Sequence, residues 1–190
     1  MSMAGEFSLA QQAAVSSQPS LKLDCKWKLS PHGVIKVNYD AATFLNDGVF
    51  LGVVMRGDVG DVVTSTCLPL HGRFDADIAE AIAMRHALSI VIESGFRNVC
   101  METDCLKLHS HLIKRNTLAT TFGSIINDII HLARSCQSCY FSFVKREGNQ
   151  VSHALAKLCS SFVSFRVWIE EVPSHIAEIV MADRRSLLID

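Results

Sequence analysis

The sequence predicts an α/β domain with a five-stranded mixed sheet, whose first three strands form an antiparallel meander flanked by helices. Between residues 33 and 68, three strand-like segments are separated by tight-turn sequences. Beyond residue 75 the apolar residues recur at steps of three and four, which is the period of an amphipathic helix. Two further β-prone segments alternate with helical ones, so the predicted order is β-β-β-α-β-α-α-β-α.

The three meander strands are predicted from alternation and from turn residues. Residues 33–42 alternate apolar and polar side chains, which is the strand period. Asn46-Asp47-Gly48 follows as a hairpin signal, because Asp-Gly tolerates the positive φ of such turns. The second and third strands are residues 49–55 and 62–68, and the turn at 56–60 joins them.

The later elements follow from the same reasoning. The long helix begins near Asp75 and ends near Gly95, a usual residue just past a helix C-terminus. The remaining elements are a strand at 98–103, helices at 105–114 and 120–134, a strand at 140–145 and a helix at 151–165. We expect a flexible N-terminal segment at 1–25, a domain at 27–165 and a C-terminal extension of mixed helical character at 166–190.

Composition excludes several classes of protein. Of 190 residues 49% are apolar, too many for a disordered chain, and 18 Lys plus Arg against 19 Asp plus Glu exclude a histone-like polybasic binder. The seven cysteines are an odd number spread through apolar segments, which favours a reducing compartment. Neither a secretory start nor a membrane-spanning stretch is apparent. We therefore expect a cytoplasmic or nuclear protein that is not secreted, does not bind membranes and is a monomer.

Three acidic residues stand at positions where the predicted fold would bring them together. Asp40 lies late in the first strand, Asp104 directly follows the fourth strand, and Glu80 lies in the first turns of the long helix. If the first and fourth strands are parallel, both aspartates come out at one sheet edge, and the helix brings Glu80 beside them. Converging carboxylates repel one another unless cations lie between them, and Mg²⁺ prefers such oxygen ligands.

Each acid also has an ordinary structural interpretation. Glu80 could be a solvated residue on a helix surface, and Asp104 could be the N-cap of the helix that follows it. The three acids together are a more specific signal than any one of them.

Four segments, in order, carry a resemblance to a known family. They are Val-Asn-Tyr-Asp-Ala-Ala at 37–42, Ala-Glu-Ala-Ile-Ala-Met-Arg-His-Ala-Leu at 79–88, Met-Glu-Thr-Asp-Cys at 101–105, and Val-Lys-Arg-Glu-Gly-Asn-Gln-Val-Ser-His-Ala-Leu-Ala-Lys at 144–157. From about Trp27 to Phe165 the chain resembles the type 1 ribonuclease H fold, in particular the plant ribonuclease H-like domains called reverse-transcriptase-like.

The resemblance implies a chemistry for these acids. It implies that Asp40, Glu80 and Asp104 hold two Mg²⁺ ions that hydrolyse the RNA strand of an RNA–DNA hybrid, with Asp40 bridging both ions. A fourth acid of the family is matched here by His153, and His at this position is frequent among the plant members. A neutral imidazole is a poor Mg²⁺ ligand and Mn²⁺ tolerates nitrogen better, so His153 puts the efficiency of cleavage in doubt.

Substrate binding is expected from neighbouring polar residues. Asn38, Arg146 and Asn149 are placed near the same edge and could bind a phosphate or a sugar 2′-hydroxyl. His153 could equally be a partly buried structural residue. A basic face on the helix after Asp104 could bind nucleic acid or be an ordinary solvated face; its members are Lys107, His111, Lys114 and Arg115.

Two functions from different classes therefore stay open. The first is a metal-dependent endonuclease of ribonuclease H type, which the three acids favour. The second is a catalytically weak or inactive nucleic-acid-binding or interaction module of retroelement origin, which His153 and the neutral charge favour. Cys136-x-x-Cys139 has no second pair at zinc-finger spacing and is interpreted as structural, and no P-loop, Gly-x-Ser-x-Gly or Gly-x-Gly-x-x-Gly motif occurs.

Overall fold

The three predicted meander strands lie side by side in a computed structural model of the protein, which describes residues 26–44, 48–115 and 119–187. They are β1 (Ile35–Phe44), β2 (Gly48–Arg56) and β3 (Val62–Leu70). Both pairs, β1 with β2 and β2 with β3, are antiparallel. The predicted N-terminal segment 1–25 and two residues of the predicted hairpin turn, Asn46 and Asp47, lie outside the described residues.

The rest of the sheet is parallel on one side of β1. The later strands are β4 (Asn98–Thr103), β5 (Ser138–Phe143) and β6 (Arg166–Ile169), and the spatial order is β5-β4-β1-β2-β3-β6. Strand β4 pairs with β1 and β5 pairs with β4, both in parallel, whereas β6 pairs with β3 in antiparallel. The carboxyl ends of β1, β4 and β5 consequently point the same way, which is the arrangement that the sequence predicted for Asp40 and Asp104.

Helices cover both faces of this sheet. They are α1 (Ala76–Glu93), α2 (Leu106–Lys114), α3 (Thr121–Ala133), α4 (Gln150–Cys159) and α5 (Ser174–Ser186). Helices α1, α2 and α3 share one apolar core with the sheet, and α4 and α5 share the core on the opposite face. No helix in the described ranges combines the length and the apolar character that crossing a membrane requires.

The prediction of five strands was wrong by one. Residues 166–169, expected to be part of a mixed helical extension, form β6 at the edge of the sheet, and Trp168 packs in the core shared by α4 and α5. Four residues are too few for an alternating pattern to be told from a helical one, so pairing with β3 decides the conformation. The segment after the predicted domain therefore adds a strand and a helix to the same layers.

A glycine in β2 decides how closely α4 lies on the sheet. A Cβ atom on Gly52 would come within 2.3 Å of the Ala156 nitrogen and 2.5 Å of the Ser152 carbonyl oxygen. Any other residue would push α4 away, because such short contacts with backbone cannot be relieved by moving a side chain. Gly52 is paired with Asp40 across β1 and β2, so this close approach lies directly beside the predicted site.

Candidate active site

The fold brings the three predicted acids together. Asp40 lies in β1, Asp104 directly follows β4, and Glu80 lies in the second turn of α1, which packs against β1. One side-chain oxygen from each of the three carboxylates lies within 4.8 Å of the other two. Asp40 is buried, and the other two are half-buried. The parallel pairing of β1 and β4 is therefore the geometric cause of the cluster.

Glu80 is the most strained member of this cluster in electrostatic terms. Its Oε1 accepts a hydrogen bond from the Ala41 N–H at 3.3 Å, while its buried Oε2 has no hydrogen-bond partner among the described residues. Burial raises the pKa of Glu80 well above its ordinary value, and the nearby charges of Asp40 and Asp104 raise it further. The interpretation of Glu80 as a freely solvated helix residue is therefore excluded.

Asp104 shares this strain to a lesser degree. Burial and the charge of Asp40 raise the pKa of Asp104, while Arg146 and a hydrogen bond from Asn149 act in the opposite direction. Its carboxylate does not cap α2: the N-cap residue is Cys105, which has no side-chain capping bond, and the Cys105 N–H donates to Thr103 Oγ1 at 3.1 Å. Asp104 is thus available as a ligand at the sheet edge.

These residues fit a divalent cation. Three carboxylates with oxygens within 4.8 Å of one another destabilise one another when ionised, and one buried oxygen of Glu80 has no hydrogen-bond partner among the described residues. A hard cation such as Mg²⁺ or Mn²⁺ takes this donor set, and its charge would reverse the upward shift in the pKa of both half-buried acids. The residues that would hold it are Asp40, Glu80 and Asp104.

His153 contacts Asp40 directly. Its Nδ1 lies 2.6 Å from Asp40 Oδ2, and its side chain is only 16% exposed. We assign to His153 the tautomer with the proton on Nδ1, because a carboxylate oxygen accepts this hydrogen bond and the imidazole then donates it. The close packing of α4 on Gly52 brings His153 beside Asp40, because His153 directly follows Ser152, whose carbonyl lies against Gly52, and Gly52 pairs with Asp40 of β1. The residue that the resemblance matches to a fourth acid is therefore in direct contact with the acid cluster.

Arg146 covers the outer side of His153. Its Nη2 lies 3.1 Å from Nδ1 and 3.0 Å from Nε2 of the imidazole. A donor at equal distance from both ring nitrogens cannot lie along either lone pair, so we interpret this contact as a guanidinium lying against the ring. Arg146 itself is exposed, and it is the predicted nucleic-acid contact that the structure presents to solvent.

Asn149 connects the acids to the core of the sheet. Its Nδ2 donates to the Tyr39 carbonyl at 2.9 Å and to Asp104 Oδ1 at 3.2 Å. Its Oδ1 accepts from Ser152 Oγ at 2.7 Å and from Asn38 Nδ2 at 3.3 Å. Asn149 is 1% exposed, so its amide holds Asp104 relative to β1 rather than reaching outward.

Asn38 is also buried and fully bonded. Its Nδ2 donates to Glu102 Oε2 at 2.9 Å, and its Oδ1 accepts from Trp27 Nε1 at 3.1 Å. The prediction that Asn38 and Asn149 bind nucleic acid directly stays a prediction, but both amides already have protein partners. In this structure the two residues position the site from beneath.

The sequence analysis did not identify Lys36 and Glu102 as part of this arrangement. Lys36 Nζ lies 3.1 Å from Glu102 Oε1, and both side chains are 7% exposed, so the ion pair is buried. Nothing in the sequence pattern connects these two residues. The parallel register of β1 and β4 pairs Asn38 with Glu102, which brings Lys36, two residues earlier on the same strand, within reach of the Glu102 carboxylate.

The remaining candidates stay outside the site. On the predicted basic face, Lys107 is bound by Asp77 and its Nζ lies 5.2 Å from the centre of the Phe122 ring. Cys136 and Cys139 are both free thiols, and burial raises the pKa of Cys139 to about 12. A thiol with so high a pKa is protonated and unreactive near neutral pH, which agrees with a structural role.

Comparisons with known proteins agree with this fold. Residues 38–159 match the sequence profile of the family described as reverse transcriptase-like. Among solved structures, RNase H1 from the halophilic archaeon Halobacterium salinarum superposes with a TM-score of 0.62 at 21% identity, covering 67% of this chain and 98% of that one. The N-terminal RNase H domain of a Mycobacterium tuberculosis protein gives 0.61 at 17% identity, covering 67% and 94%.

A third structure shows the same fold with a ligand of its own. LC11-RNase H1, isolated from compost by a metagenomic approach, was solved in complex with an RNA/DNA hybrid; its TM-score is 0.58 at 18% identity, covering 65% of this chain and 94% of that one. No curated protein matches the chain in sequence. At these identities the structural neighbours establish the fold, and the matched profile establishes the family.

Proposed function

The chain belongs to the reverse transcriptase-like family, and on that premise we propose that it is a metal-dependent endonuclease that hydrolyses the RNA strand of RNA–DNA hybrids. The observation that carries the proposal is the cluster of Asp40, Glu80 and Asp104, whose oxygens lie within 4.8 Å of one another. Three acids at such distances, one with an unpaired buried oxygen, are costly for a fold that does not use them.

The acids hold the cofactor in this proposal. Two Mg²⁺ ions, or Mn²⁺ in their place, would be bound by Asp40, Glu80 and Asp104. When bound, such ions supply an activated water and positive charge beside the phosphodiester that is cleaved. Asn149 fixes the Asp104 carboxylate to β1, so the two aspartates keep their spacing whether or not a cation is present.

His153 and Arg146 act at the outer rim of this site. The Nδ1 proton of His153 is held by Asp40 Oδ2, which leaves Nε2 as the nitrogen that faces away from that carboxylate. Arg146 lies against the same ring and is exposed, so its guanidinium is placed to bind a phosphate of the substrate backbone. The preference for a hybrid rests on the fold, since LC11-RNase H1, which shares it, was solved with an RNA/DNA hybrid.

A second function is favoured by one observation. The 2.6 Å contact between His153 Nδ1 and Asp40 Oδ2 occupies a carboxylate oxygen that would otherwise be available to bind a metal ion. A protein that keeps this contact in the presence of divalent cations would bind nucleic acid without cleaving it. That module, of retroelement origin and with little or no catalysis, is the alternative.

Cleavage of a labelled RNA–DNA hybrid tests the proposal. We expect the wild-type protein to cleave the RNA strand, faster with Mn²⁺ than with Mg²⁺ because an imidazole suits Mn²⁺ better. Asp40→Asn should lower the rate by more than the roughly 100-fold typical of a residue that only supports a metal ligand. His153→Asp should raise the rate with Mg²⁺. As a matched control, Asp128→Asn changes an exposed aspartate paired with Arg85 and should leave the rate unchanged.

Each outcome decides between the two functions. Absence of cleavage with either metal, not restored by His153→Asp, would reject the enzyme and favour the binding module. Cleavage that survives Asp40→Asn would reject the site while leaving the activity to be explained. An equal loss in Asp40→Asn and Asp128→Asn would show a defect of folding or purity, and the assignment of Asp40 would fail.

A further inference from the structure

Trp27 is a buried residue that lies before β1, outside residues 38–159 that match the family profile. Its ring packs against the Arg56 guanidinium, whose Cζ lies 4.2 Å from the ring centre. Its backbone packs against the short turn at Arg146–Gly148, since a Cβ atom on Gly148 would come within 3.2 Å of the Trp27 nitrogen. These contacts hold Trp27 between the sheet and the turn that leads into α4.

The indole N–H of Trp27 sets the direction of a buried amide. An indole can only donate a hydrogen bond, and Trp27 Nε1 donates to Asn38 Oδ1 at 3.1 Å. The Asn38 amide therefore turns its nitrogen the other way, and Nδ2 donates to Asn149 Oδ1 at 3.3 Å. Asn149 in turn directs its own Nδ2 to Asp104 Oδ1, at 3.2 Å. Three hydrogen bonds in series thus run in one direction from the indole to a carboxylate of the acid cluster.

The same two amides are also held by two acceptors. Glu102 Oε2 accepts from Asn38 Nδ2, and the Tyr39 carbonyl accepts from Asn149 Nδ2, both at 2.9 Å. These acceptors bind the amide nitrogens, whereas the indole binds the Asn38 oxygen. Without the indole N–H that buried oxygen loses this donor, and an amide can turn to satisfy its oxygen only at the expense of its Nδ2 bonds. The two acceptors therefore limit the effect of losing the indole N–H but do not replace it.

We infer that Trp27 is a positioning residue of the proposed active site, which acts through Asn38 and Asn149 on the Asp104 carboxylate. Residues that hydrogen-bond to a metal-ligating carboxylate orient it and so raise its affinity for the ion. Asn149 is such a residue, and Trp27 lies two hydrogen bonds behind it. The inference rests on the proposed function, because it concerns how the acid cluster binds a cation. It gives the segment before β1 a part in the site, although that segment lies outside the matched profile.

Trp27→Phe tests this role, because it keeps a ring against Arg56 and removes the N–H. We expect the dissociation constant for Mn²⁺, measured by titration calorimetry on the full chain, to rise about tenfold, the lower end of the effect of residues that support a metal ligand. The matched control is Ile126→Val, which removes one methylene group from a side chain buried in the core shared by α1, α2 and α3, on the opposite face of the sheet. It should lower the unfolding temperature to a similar degree and leave the Mn²⁺ dissociation constant unchanged.

A double-variant cycle tests whether the effect passes through Asn149. In an Asn149→Ala background the series of hydrogen bonds is already broken, so Trp27→Phe should weaken Mn²⁺ binding no further. Circular dichroism and the unfolding temperature establish that each variant is folded. If Asn149→Ala does not fold, the comparison of Trp27→Phe with Ile126→Val decides alone.

The outcomes separate this inference from the proposed function. Equal Mn²⁺ affinity in wild type and Trp27→Phe, an equal loss in Ile126→Val, or a further tenfold loss in the Asn149→Ala background would each overturn the positioning role and leave the proposed function intact. A wild-type protein that binds no Mn²⁺ would reject both.

Discussion

Two glutamates on elements that follow each other in the chain have opposite surroundings. Glu102, in β4, has Lys36 Nζ 3.1 Å from one oxygen and receives the Asn38 amide at 2.9 Å on the other. Glu80, in α1, receives one backbone N–H at 3.3 Å and has a second oxygen without a partner among the described residues. Both oxygens of Glu102 thus have protein partners, whereas Glu80 lies with two other acids in a site where a cation would supply the missing partner.

The fold separates the residues that hold the site in place from the acids that would bind a cation. The paired region consists of four residues that bind one another, Lys36, Asn38, Glu102 and Asn149. Asn149 connects this region to the acid cluster, because its Nδ2 donates to Asp104 Oδ1 at 3.2 Å. Like charges can be held at close range only when their backbones are fixed, and the paired region fixes β1, β4 and the start of α4. The hydrogen bonds and the ion pair of the paired region therefore offset the electrostatic repulsion between Glu80, Asp104 and Asp40.

The largest expected effect comes from breaking the paired region. Glu102→Leu leaves the buried Lys36 ammonium without its partner and should lower the free energy of unfolding by about 3–5 kcal/mol. The double variant Lys36→Met with Glu102→Leu should recover most of that loss, because no buried charge is left unpaired. Urea unfolding followed by circular dichroism measures both. Asp128→Ala, which breaks an exposed pair with Arg85, is the control and should change stability by at most about 1 kcal/mol. Equal losses in the single and double variants would contradict this account.

The next effect concerns cation binding by the acid cluster of Asp40, Glu80 and Asp104. A divalent cation that binds only the folded protein at 100 times its dissociation constant should raise the free energy of unfolding by about 2.7 kcal/mol. Thermal unfolding with and without Mg²⁺ or Mn²⁺ measures this gain. Asp104→Asn should lose most of it, whereas Asp77→Asn, at an acid of the same helix as Glu80 but bound to Lys107, should keep it. An equal gain in both variants would place the cation elsewhere.

The smallest effect is a pH dependence of the metal-free protein. Burial raises the pKa of Glu80 in the folded state, so the folded protein keeps a proton that the unfolded chain has already released. This group therefore favours folding below the ordinary carboxyl pKa, and that contribution is lost as the pH rises through the raised value. Glu80→Gln should make the metal-free protein relatively more stable at pH 8 than at pH 5, compared with wild type. Unfolding free energies at the two pH values measure the difference, and an unchanged or reversed difference would contradict the assignment.

Much of the fold was predictable because it follows from local patterns. Alternation and turn residues located β1, β2 and β3 to within a few residues, and helical periodicity located α1. The strand β6 was missed, since four residues carry too little pattern and its conformation depends on pairing with distant β3.

Some residues of the site could likewise be predicted from local sequence patterns, and others depend on contacts between distant elements. The grouping of Asp40, Glu80 and Asp104 was predictable because β1 and β4 could be expected to run parallel and α1 could be expected to pack against them. The roles of Lys36 and Glu102 were not, because they depend on the register of β1 with β4, which pairs Asn38 with Glu102 and so brings Lys36, two residues earlier, within reach of Glu102. The contact of His153 with Asp40 depends on how closely α4 lies on Gly52, which no periodicity in the sequence specifies.

The close packing of α4 against Gly52 has an evolutionary consequence. Because backbone contact rather than the side chain at position 153 sets the helix position, different side chains there are delivered to the same place beside Asp40. His and Asp codons differ only in their first base. The acid that the family resemblance expects at this position therefore lies one point mutation from the present gene.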